Sequence, residues 1–439
     1  VAYGREGLWV DLPADNMTVV EPSYVPGLPD EQEALREALR NPIGTPPVAE
    51  LVSPEDTVAI VFSDLTRPQP RRRMLSALLN EIATVPTEQV VLINALGSHR
   101  PNTDAELDEM LGCEIAGKYR IVQHNAFDSE SNEYLGRTTA GHDIWIDSAY
   151  TQADVKILTG FIEPHFFAGF SGGPKAVLTG IAAQASILAN HGAGMVAHPR
   201  ATWGVTEGNP IWEEMREVAL WTEPAFLYNV TLNRDKQITG VFAGDLEQAH
   251  KAGTGFVAMT AMVPVEAPFD IVITSNSGYP LDLNLYQSIK GVSAAAQVVK
   301  PGGAIIVAAE CWSGVADHPQ YSQLLQSAPS PQALLAQIHA SGEVIQDQWQ
   351  VQVQAQVQSR ALVYVKSSLK AADVEGAMLH VCDSVEETVA RLMECYGPDA
   401  TICVLPEGCL LYTSPSPRDQ RPNLVCRLRL EKRGGGGGG

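Results

Sequence analysis

The chain has 439 residues, 45% of them hydrophobic and 18% charged, which is the balance of a globular protein too long for one hydrophobic core. Its formal net charge of −21 excludes nucleic acid or an anionic membrane as the main partner, because both would repel it. Seven irregularly spaced cysteines without a CxxC pair, and the lack of a leader or long apolar run, indicate a protein of the reducing cytoplasm.

Short runs rich in β-branched residues alternate with segments of helical period along most of the chain. This alternation predicts an α/β fold with two α/β domains and mainly parallel sheets. The predicted strands lie at 57–64, 88–97, 153–162, 269–276 and 303–310. The predicted helices lie at 71–84, 104–112, 179–196 and 284–299. We interpret the three arginines at 71–73 as a solvated face of the first of these helices.

A proline-containing stretch at 258–270 separates two such alternating series and is the candidate hinge. We therefore predict an N-terminal domain at 1–264 and a C-terminal α/β domain at 265–408, with an active-site cleft between them. Residues 409–439 are basic, rich in proline and end in six glycines. We interpret them as an artefactual or disordered tail and leave them out of the functional reasoning.

Polar residues follow three predicted strands of the first series at their carboxyl ends. Asp64 and Arg67 follow the first strand, His99 follows the second, and His165 and Lys175 follow the third. Open α/β sheets bind ligands beyond the carboxyl ends of their strands. We therefore expect these side chains to meet at one edge of the sheet and to form a local basic pocket for an anion.

The stretch "GFSGG" at 169–173 matches the G-x-S-x-G pattern of a nucleophile elbow, which would make Ser171 a nucleophile. However, "EPHFFA" separates the serine from the preceding strand, whereas the elbow needs it directly after the strand. The pattern of a phosphate loop fails as well, because Pro174 precedes Lys175. Small residues would still let backbone N–H groups approach a phosphate or carboxylate, with a helix from about 179 adding its positive end.

Two further groups of residues are candidates for binding. His191 and His198 lie two turns apart in a helical pattern, so either is a candidate metal ligand, although HExxH is absent. A metal held mainly by a cofactor would need only one of them. In the second series, Gln287 and Lys290 are three residues apart on one predicted helix face and point toward the cleft.

Taken in order, the motifs "SDLTRP", "GSHRP", "EPHFFAGFSGGPK", "NHGAG" and "YQSIKG" resemble those of the nickel-dependent lactate racemases. The resemblance extends to about Gly408 and implies a two-domain enzyme whose cleft holds a nickel pincer nucleotide, a pyridinium mononucleotide with two sulfur-containing arms. It implies that the 1–264 domain carries the cofactor and the catalytic residues. It also implies that cofactor-synthesis enzymes of the host supply the nucleotide.

The resemblance assigns roles to individual residues of this sequence. Lys175 would hold the nucleotide covalently, His191 would ligate nickel, and His99 and His165 would be alternating general bases. The substrate would contact Arg67, Gln287, Lys290 and Trp349. The cofactor would contact Asp64, Ser171, Gly172, Gly173 and Tyr286.

The implied reaction is the racemisation or epimerisation of a small anionic 2-hydroxy acid, lactate or a relative. Moving hydride to a cofactor avoids a poorly stabilised carbanion next to a carboxylate, and two bases titrating near neutrality serve the two enantiomers. Two other functions stay open here: a serine hydrolase using Ser171 with His165 or His191, and a non-catalytic protein that binds anionic metabolites.

Overall fold

The computed structural model describes residues 1–13, 16–408 and 412–413. Its chain forms two α/β units, each built on a six-stranded sheet with helices packed against it, and this confirms the predicted fold class. Within these residues, no helix combines the length and the apolar character needed to cross a lipid bilayer.

The first sheet, here called the N-terminal sheet, is parallel except at one edge. Its central strand, Val58–Ser63, is buried on both faces, as expected for an apolar run between two layers of helices. Its strand order is Ile238–Gly244, Phe226–Leu232, Val155–Phe161, Val58–Ser63, Val90–Ala95 and Arg120–Gln123, with only the first pair antiparallel.

The helices of this unit include two short ones directly behind the predicted site, Lys175–Leu178 and Gln184–Asn190. The others are Glu31–Arg40, Arg71–Glu81, Asp104–Leu111, Cys113–Ala116, Ser148–Thr151, Ala193–Val196, Pro210–Trp221 and Leu246–Ala261. Single 3₁₀ turns lie at Val48–Glu50 and Thr87–Gln89, and two small hairpins pair Asn132–Arg137 with Asp143–Asp147 and Pro164–His165 with Gly169–Phe170.

The second sheet, here called the C-terminal sheet, is parallel throughout. Its strand order is Met17–Val19, Ile402–Leu405, Phe269–Ser275, Val299–Ala308, Leu362–Lys366 and His380–Val381. Its helices are Leu285–Ala295, Pro319–Gln326, Pro331–Ser341, Gln348–Gln358, Ala371–Gly376 and Val385–Tyr396.

The described residues among the first twenty, 1–13 and 16–20, belong structurally to the C-terminal unit. Met17–Val19 forms an edge strand of the C-terminal sheet, and the Ala2 N–H donates to the Pro406 carbonyl at 2.8 Å. The Gly4 N–H donates to the buried carboxylate of Asp282 at 2.7 Å. The predicted domain at 1–264 therefore contributes its first segment to the other unit, which no periodicity in the sequence indicated.

The predicted helix at 179–196 is wrong, because the chain forms two short helices there, Gln184–Asn190 and Ala193–Val196. The preceding helix Lys175–Leu178 ends before Gly180, where a Cβ would lie 2.2 Å from the Ala176 carbonyl oxygen, and Gly192 is the N-cap of Ala193–Val196. His191 therefore ends a helix and is buried, whereas His198 is exposed. The two histidines do not share a helix face.

Residues of the predicted hinge and of the predicted tail pair in a small two-stranded sheet. The helix Leu246–Ala261 runs into the hinge segment, and the strand Val263–Pro264 that follows it pairs in parallel with Tyr412–Thr413. Those two residues are the part of the 409–439 tail that the structure describes, and its other residues lie outside the described residues. The interpretation of the tail as artefactual or disordered therefore stays a prediction.

The helix Leu285–Ala295 carries three of the predicted site residues and packs unusually close to the C-terminal sheet. Its Gly291 faces the strand Phe269–Ser275, and a Cβ at this position would lie 2.0 Å from the Ser275 carbonyl oxygen. The helix therefore depends on a residue without a side chain for its place against the sheet.

We expect Gly291→Ala to push this helix off the sheet and to lower the free energy of unfolding by about 1–3 kcal/mol, the usual cost of overpacking. Urea unfolding monitored by circular dichroism measures the change. Gly255→Ala is the matched control, because this helical glycine has nothing within 4 Å of a Cβ. It should stabilise the helix by roughly 0.5–1 kcal/mol, and equal effects of the two variants would contradict the explanation.

Candidate active site

Asp64 and His99 meet at the carboxyl edge of the N-terminal sheet, as the sequence predicted. His99 Nδ1 lies 2.6 Å from Asp64 Oδ2, and the Thr66 hydroxyl donates to Asp64 Oδ1 at 2.8 Å. Burial would raise the Asp64 pKa, but the hydrogen bond with His99 and the charge of Arg67 outweigh it, so the pKa lies below its usual value. A carboxylate only accepts hydrogen bonds, and we therefore assign the ring proton to Nδ1.

This assignment leaves Nε2 of His99 as the atom with a free lone pair. The His99 side chain is 46% exposed, whereas that of Asp64 is 4% exposed. The buried carboxylate thus orients the ring, and the accessible nitrogen is free to accept a proton from a ligand.

The interpretation of the arginines at 71–73 as a solvated helix face is wrong for Arg71. Arg72 and Arg73 are exposed as expected for a solvated helix face, but Arg71 is buried. Its guanidinium donates to the backbone carbonyl of Asp64, and burial lowers its pKa to about 10. The other carbonyls that it binds belong to Ser63 at 2.5 Å, Arg67 at 2.6 Å and Gln69 at 3.3 Å.

The position of Arg71 explains how the loop with Asp64 and Arg67 holds its shape. One rigid cation collects four carbonyl groups of the loop, of which those of Asp64 and Gln69 also accept the backbone N–H groups of Arg67 and Arg71. The run of three arginines hid this residue, because a single sequence does not distinguish the inward-facing member of such a run.

His165 lies in the small hairpin that follows the third strand. The Ala168 N–H donates to its Nδ1 at 3.3 Å, and the Phe166 and Phe167 rings lie 4.9 and 4.7 Å from its ring. Burial lowers the pKa of His165 well below its ordinary value, and Lys175, among the nearby cations, lowers it further. His165 is therefore neutral, with its proton on Nε2.

The hydroxyl of Ser171 is committed to the backbone of its own loop. It donates to the Phe161 carbonyl at 3.0 Å and accepts from the Glu163 N–H at 2.9 Å. His250 Nε2 binds the Ser171 carbonyl at 3.0 Å rather than the hydroxyl. These bonds lock the loop onto the third strand, and they leave the serine without the histidine partner that a nucleophile needs.

The backbone N–H groups of this loop are also occupied. The Ser171 N–H donates to the Glu163 carbonyl at 2.8 Å, and the Gly173 N–H donates to Asn229 Oδ1 at 2.9 Å. The expectation that these two groups approach an anion is therefore wrong. Both following glycines have positive φ, and a Cβ at Gly172 would lie 2.5 Å from Asn229 Oδ1, so packing accounts for them.

Lys175 begins the short helix after the glycines and turns its amine inward. Nζ donates to the Thr179 hydroxyl at 3.2 Å. Burial, together with the charges of Arg67 and Lys290, lowers the Lys175 pKa to about 7. The amine is therefore largely unprotonated just above neutral pH, and an unprotonated amine is the nucleophilic form of lysine.

His191 is the best candidate for a metal ligand. It is buried, and its Nδ1 has no hydrogen-bond partner among the described residues, which is costly for a buried polar atom. Burial and the charge of Lys175 lower its pKa to about 3, so the imidazole is neutral, as a ligand must be. The rings of Phe167 and Trp349 flank it at 4.9 and 5.2 Å.

No group of three or more His, Cys, Asp or Glu side chains that could hold a metal ion exists among residues 1–13, 16–408 and 412–413. A metal here would therefore need most of its ligands from elsewhere, and His191 fits the part of a single protein ligand. Its orphaned buried Nδ1, with the low-pKa amine of Lys175 nearby, fits a cofactor that brings its own metal ligands.

The C-terminal unit contributes the helix Leu285–Ala295 to the site. Its N-cap Asn284 accepts the Gln287 N–H at 2.9 Å, which fixes the first turn. Lys290 Nζ donates to Gln287 Oε1 at 2.8 Å, so the two side chains lie together as predicted. Tyr286 lies in the same first turn of this helix.

Two acidic residues of the site were missed in the sequence. Glu163 is exposed to the cleft near the cations Arg67, Lys175 and Lys290, which favour its charged form. Its place in "EPH", directly before a candidate base, was a signal that could have been used. Asp347 is buried beside Tyr286, and its only sequence signal was its position two residues before Trp349.

A separate cavity of about 770 Å³ lies on the other side of the glycine loop. Pro174, Trp212 and His250 line it, together with several glutamates of the helix Pro210–Trp221. None of His99, His165, Lys175 and His191 lines this cavity, so it is distinct from the candidate site.

Comparison with known proteins gives a consistent result along the chain. The family model of the lactate racemase N-terminal domain matches residues 3–204, and that of the lactate racemase C-terminal domain matches residues 265–412. The lactate racemase of Thermoanaerobacterium thermosaccharolyticum is 36% identical over 416 residues, covering 93% of this chain and 97% of the relative. The lactate racemase of Lactiplantibacillus plantarum is 37% identical over 382 residues, covering 86% and 90%.

Solved structures agree. The lactate racemase apoprotein from Thermoanaerobacterium thermosaccharolyticum superposes with a TM-score of 0.89 at 34% identity, covering 95% of this chain and 99% of that one. A protein from Thermotoga maritima superposes with a TM-score of 0.67 at 17% identity, covering 89% and 100%, and indicates the fold alone.

We expect Arg71→Met to lower the free energy of unfolding by about 3 kcal/mol, because it leaves four carbonyl groups of the Asp64 loop without their charged donor. Urea unfolding measures the loss, and hydrogen exchange should be faster at 63–69. Arg72→Met, at the exposed neighbouring position, should change stability by no more than about 0.5 kcal/mol. Similar losses in the two variants would show that Arg71 does not support the loop.

Proposed function

Because this chain belongs to the lactate racemase family, we propose that it inverts the configuration at C2 of a small 2-hydroxy acid, lactate or a relative. Family membership makes it an isomerase. The finer proposal is carried by one observation: the His99 ring held by Asp64, His165, the low-pKa amine of Lys175 and the unpartnered His191 come from separate loops, and the charge of Lys175 acts on both His165 and His191.

We propose that Arg67, Gln287 and Lys290 bind the substrate carboxylate. Arg67 is exposed in the cleft and can bind a carboxylate through two parallel hydrogen bonds, while Lys290 and Gln287 already lie in contact. The net charge of −21 would repel an anionic substrate from most of the surface, so a local group of cations is needed to attract it. Trp349 is the apolar wall of this pocket in the proposal.

The proposed cofactor is the nickel pincer nucleotide, attached covalently to Lys175 and completed by His191 as the nickel ligand. Bound here, it would supply a ring carbon that accepts hydride from the substrate α-carbon and returns it. The unprotonated amine of Lys175 and the free Nδ1 of His191 support this assignment. Tyr286 and Asp64, with the loop of Ser171, Gly172 and Gly173, are proposed to surround the nucleotide.

We assign His99 and His165 as the two alternating bases. His99 is ready to take the hydroxyl proton at Nε2, because Asp64 holds its Nδ1 and stabilises the cation that forms. His165 lacks such a carboxylate, and burial together with the charges of Lys175, Lys290 and Arg67 disfavours its protonation. Its lone pair lies on Nδ1, so taking a proton there would require it to release the long Ala168 N–H bond. Binding an anionic substrate and converting the Lys175 amine to an uncharged linkage would both weaken this field and raise the basicity of His165.

The two alternative functions, a serine hydrolase and a non-catalytic binding protein, are separated by different observations. A serine hydrolase is not supported, because the Ser171 hydroxyl bonds to backbone groups on both sides. A non-catalytic protein that binds anionic metabolites would need the cations but neither the Asp64–His99 pair nor an unpartnered buried imidazole. Turnover distinguishes it from the racemase. The cytoplasmic location and the supply of the nucleotide by host enzymes stay predictions from the sequence.

We expect protein produced together with nickel pincer nucleotide synthesis enzymes to carry a covalent adduct on Lys175 and bound nickel. Intact-mass spectrometry, peptide mapping and metal analysis measure both. Lys175→Ala should lose the adduct and the activity, because it removes the amine that forms the linkage. Lys251→Ala, which removes an exposed lysine, is the matched control and should keep both. Full racemase activity on unmodified Lys175 would refute the cofactor assignment.

His99→Ala and His165→Ala should each lower the rate in both directions by about 10²–10⁴-fold, because the path of each enantiomer ends on the base that starts the other. Polarimetry or chiral chromatography from either pure enantiomer measures the rates. His198→Ala, an exposed histidine beyond the nickel-ligand loop, should keep the parent rates. A variant at His99 or His165 that retains near-normal rates both ways would contradict the two-base assignment.

A further inference from the structure

The carboxylate of Glu214 is buried within the helix Pro210–Trp221. Its side chain is only 2% exposed, and none of the proposed catalytic steps uses it. A buried charged group is costly unless hydrogen bonds replace its water, and apolar residues often replace such groups with no loss of stability. The reason for a glutamate at this position therefore lies in the groups that it binds.

Three hydrogen-bond donors converge on the two oxygens of Glu214. Oε1 accepts the Thr138 hydroxyl at 2.6 Å and lies 2.8 Å from His142 Nδ1. Oε2 accepts the side-chain amide of Asn190 at 2.9 Å. Because a carboxylate only accepts hydrogen bonds, it fixes which way the Asn190 amide points and assigns the ring proton of His142 to Nδ1.

Asn190 connects this carboxylate to the segment of the candidate nickel ligand. It is fully buried, is the last residue of the helix Gln184–Asn190, and directly precedes His191. Its Nδ2 also donates to the Ile211 carbonyl at 3.2 Å, so both amide hydrogens bind the helix Pro210–Trp221. Its Oδ1 has no partner among the described residues, so these two bonds are what anchor the side chain.

The same helix also holds a residue that packs against the His191 ring. Its N-cap Asn209 donates Nδ2 to the Phe167 carbonyl at 2.9 Å. The Phe167 ring packs edge to face on the His191 ring, with ring centres 4.9 Å apart at 82°. The helix therefore anchors both the residue before His191 and a residue beside its ring.

We propose that Glu214 is a positioning residue, which fixes the backbone of His191 through the side chain of Asn190. With this backbone fixed, the His191 ring stays in contact with Phe167 and Trp349, and its unpartnered Nδ1 keeps one direction. A ligand that is held in place before the metal arrives loses less conformational entropy on binding. The proposal rests on the proposed function for the role of His191 as a nickel ligand, whereas the placement of the ring is independent of the reaction.

Four variants of the full chain test the proposal. Glu214→Leu removes the acceptor and Asn190→Leu removes the donor, each with a side chain of similar size. Asn190→Leu leaves Glu214 two of its three donors, so it tests the same bond even where Glu214→Leu does not fold. Glu214→Gln keeps an oxygen for Asn190, because the Thr138 hydroxyl and the other tautomer of His142 can accept from the new amide.

Thr138→Val is the matched control. It removes a buried hydrogen bond to the same carboxylate, but on the oxygen that Asn190 does not use. It should therefore weaken the network and lower the urea midpoint without releasing Asn190. Circular dichroism establishes that each variant is folded before the other measurements.

The first measurement is the nuclear magnetic resonance spectrum of the His191 ring in apoprotein labelled with ¹³C- and ¹⁵N-histidine. The chain has ten histidines, so the signals of His191 are assigned by their loss in His191→Gln. The neighbouring aromatic rings shift these signals. Glu214→Leu and Asn190→Leu should move or broaden them, because the ring leaves its place against Phe167, whereas Glu214→Gln and Thr138→Val should leave them in place.

The second measurement is the retention of nickel after cofactor loading. Glu214→Leu and Asn190→Leu should keep the adduct on Lys175 in intact-mass spectra but lose nickel to a chelator about 10–100-fold more readily, the usual effect of removing a group that orients a metal ligand. We expect kcat to fall by a similar factor while KM changes little. Glu214→Gln should restore both nickel retention and kcat.

Unchanged His191 signals in Asn190→Leu, or an equal change in Thr138→Val, would overturn the proposal. So would a Glu214→Gln variant that behaves like Glu214→Leu, because the hydrogen bond to Asn190 would then not be the cause. Changed His191 signals in Asn190→Leu, in a chain whose loaded parent lacks racemase activity, would refute the proposed function and leave the positioning role intact.

Discussion

Repulsion between like charges in the cleft is the constraint on which the rest of the site depends. Burial and the charges of Arg67 and Lys290 lower the Lys175 pKa to about 7, inside a chain whose net charge is strongly negative. Glu163 counters part of this charge and stays accessible to water. An anion that entered would relieve this repulsion, so the same cations that disfavour protonation of the half-buried His165 select the kind of molecule that binds.

The fold and the outline of the site follow from patterns that act locally. Apolar runs buried on both faces predicted the central strands, and the rule that parallel strands expose their carboxyl ends at one edge placed Asp64 beside His99. The spacing of Gln287 and Lys290 predicted their contact for the same reason, because a helix repeats every 3.6 residues. Each of these inferences needed only neighbours in the sequence.

What could not be predicted depends on tertiary contacts. Arg71 differs from Arg72 in its surroundings, because the loop carbonyls lie on the side of the helix that Arg71 faces. The glycines after Ser171 face Asn229 and His250, which belong to elements far along the chain. The helix Gln348–Gln358 is the clearest case, since its alternating glutamines have the period of a strand. Its buried amides instead donate to carbonyls such as those of Tyr286 and Ala193, which a local pattern does not record.

The edge strand Met17–Val19 has a mechanical consequence. Because the first residues lie in the C-terminal sheet, the polypeptide passes between the two units twice, once after Val20 and again between Ala261 and Phe269. Two covalent links confine relative motion to rotation about the line that joins them, and they suppress twisting and sliding. Opening to admit a ligand would then be a hinge rotation about this line, which returns Trp349 to the same place at His191 each time the cleft closes.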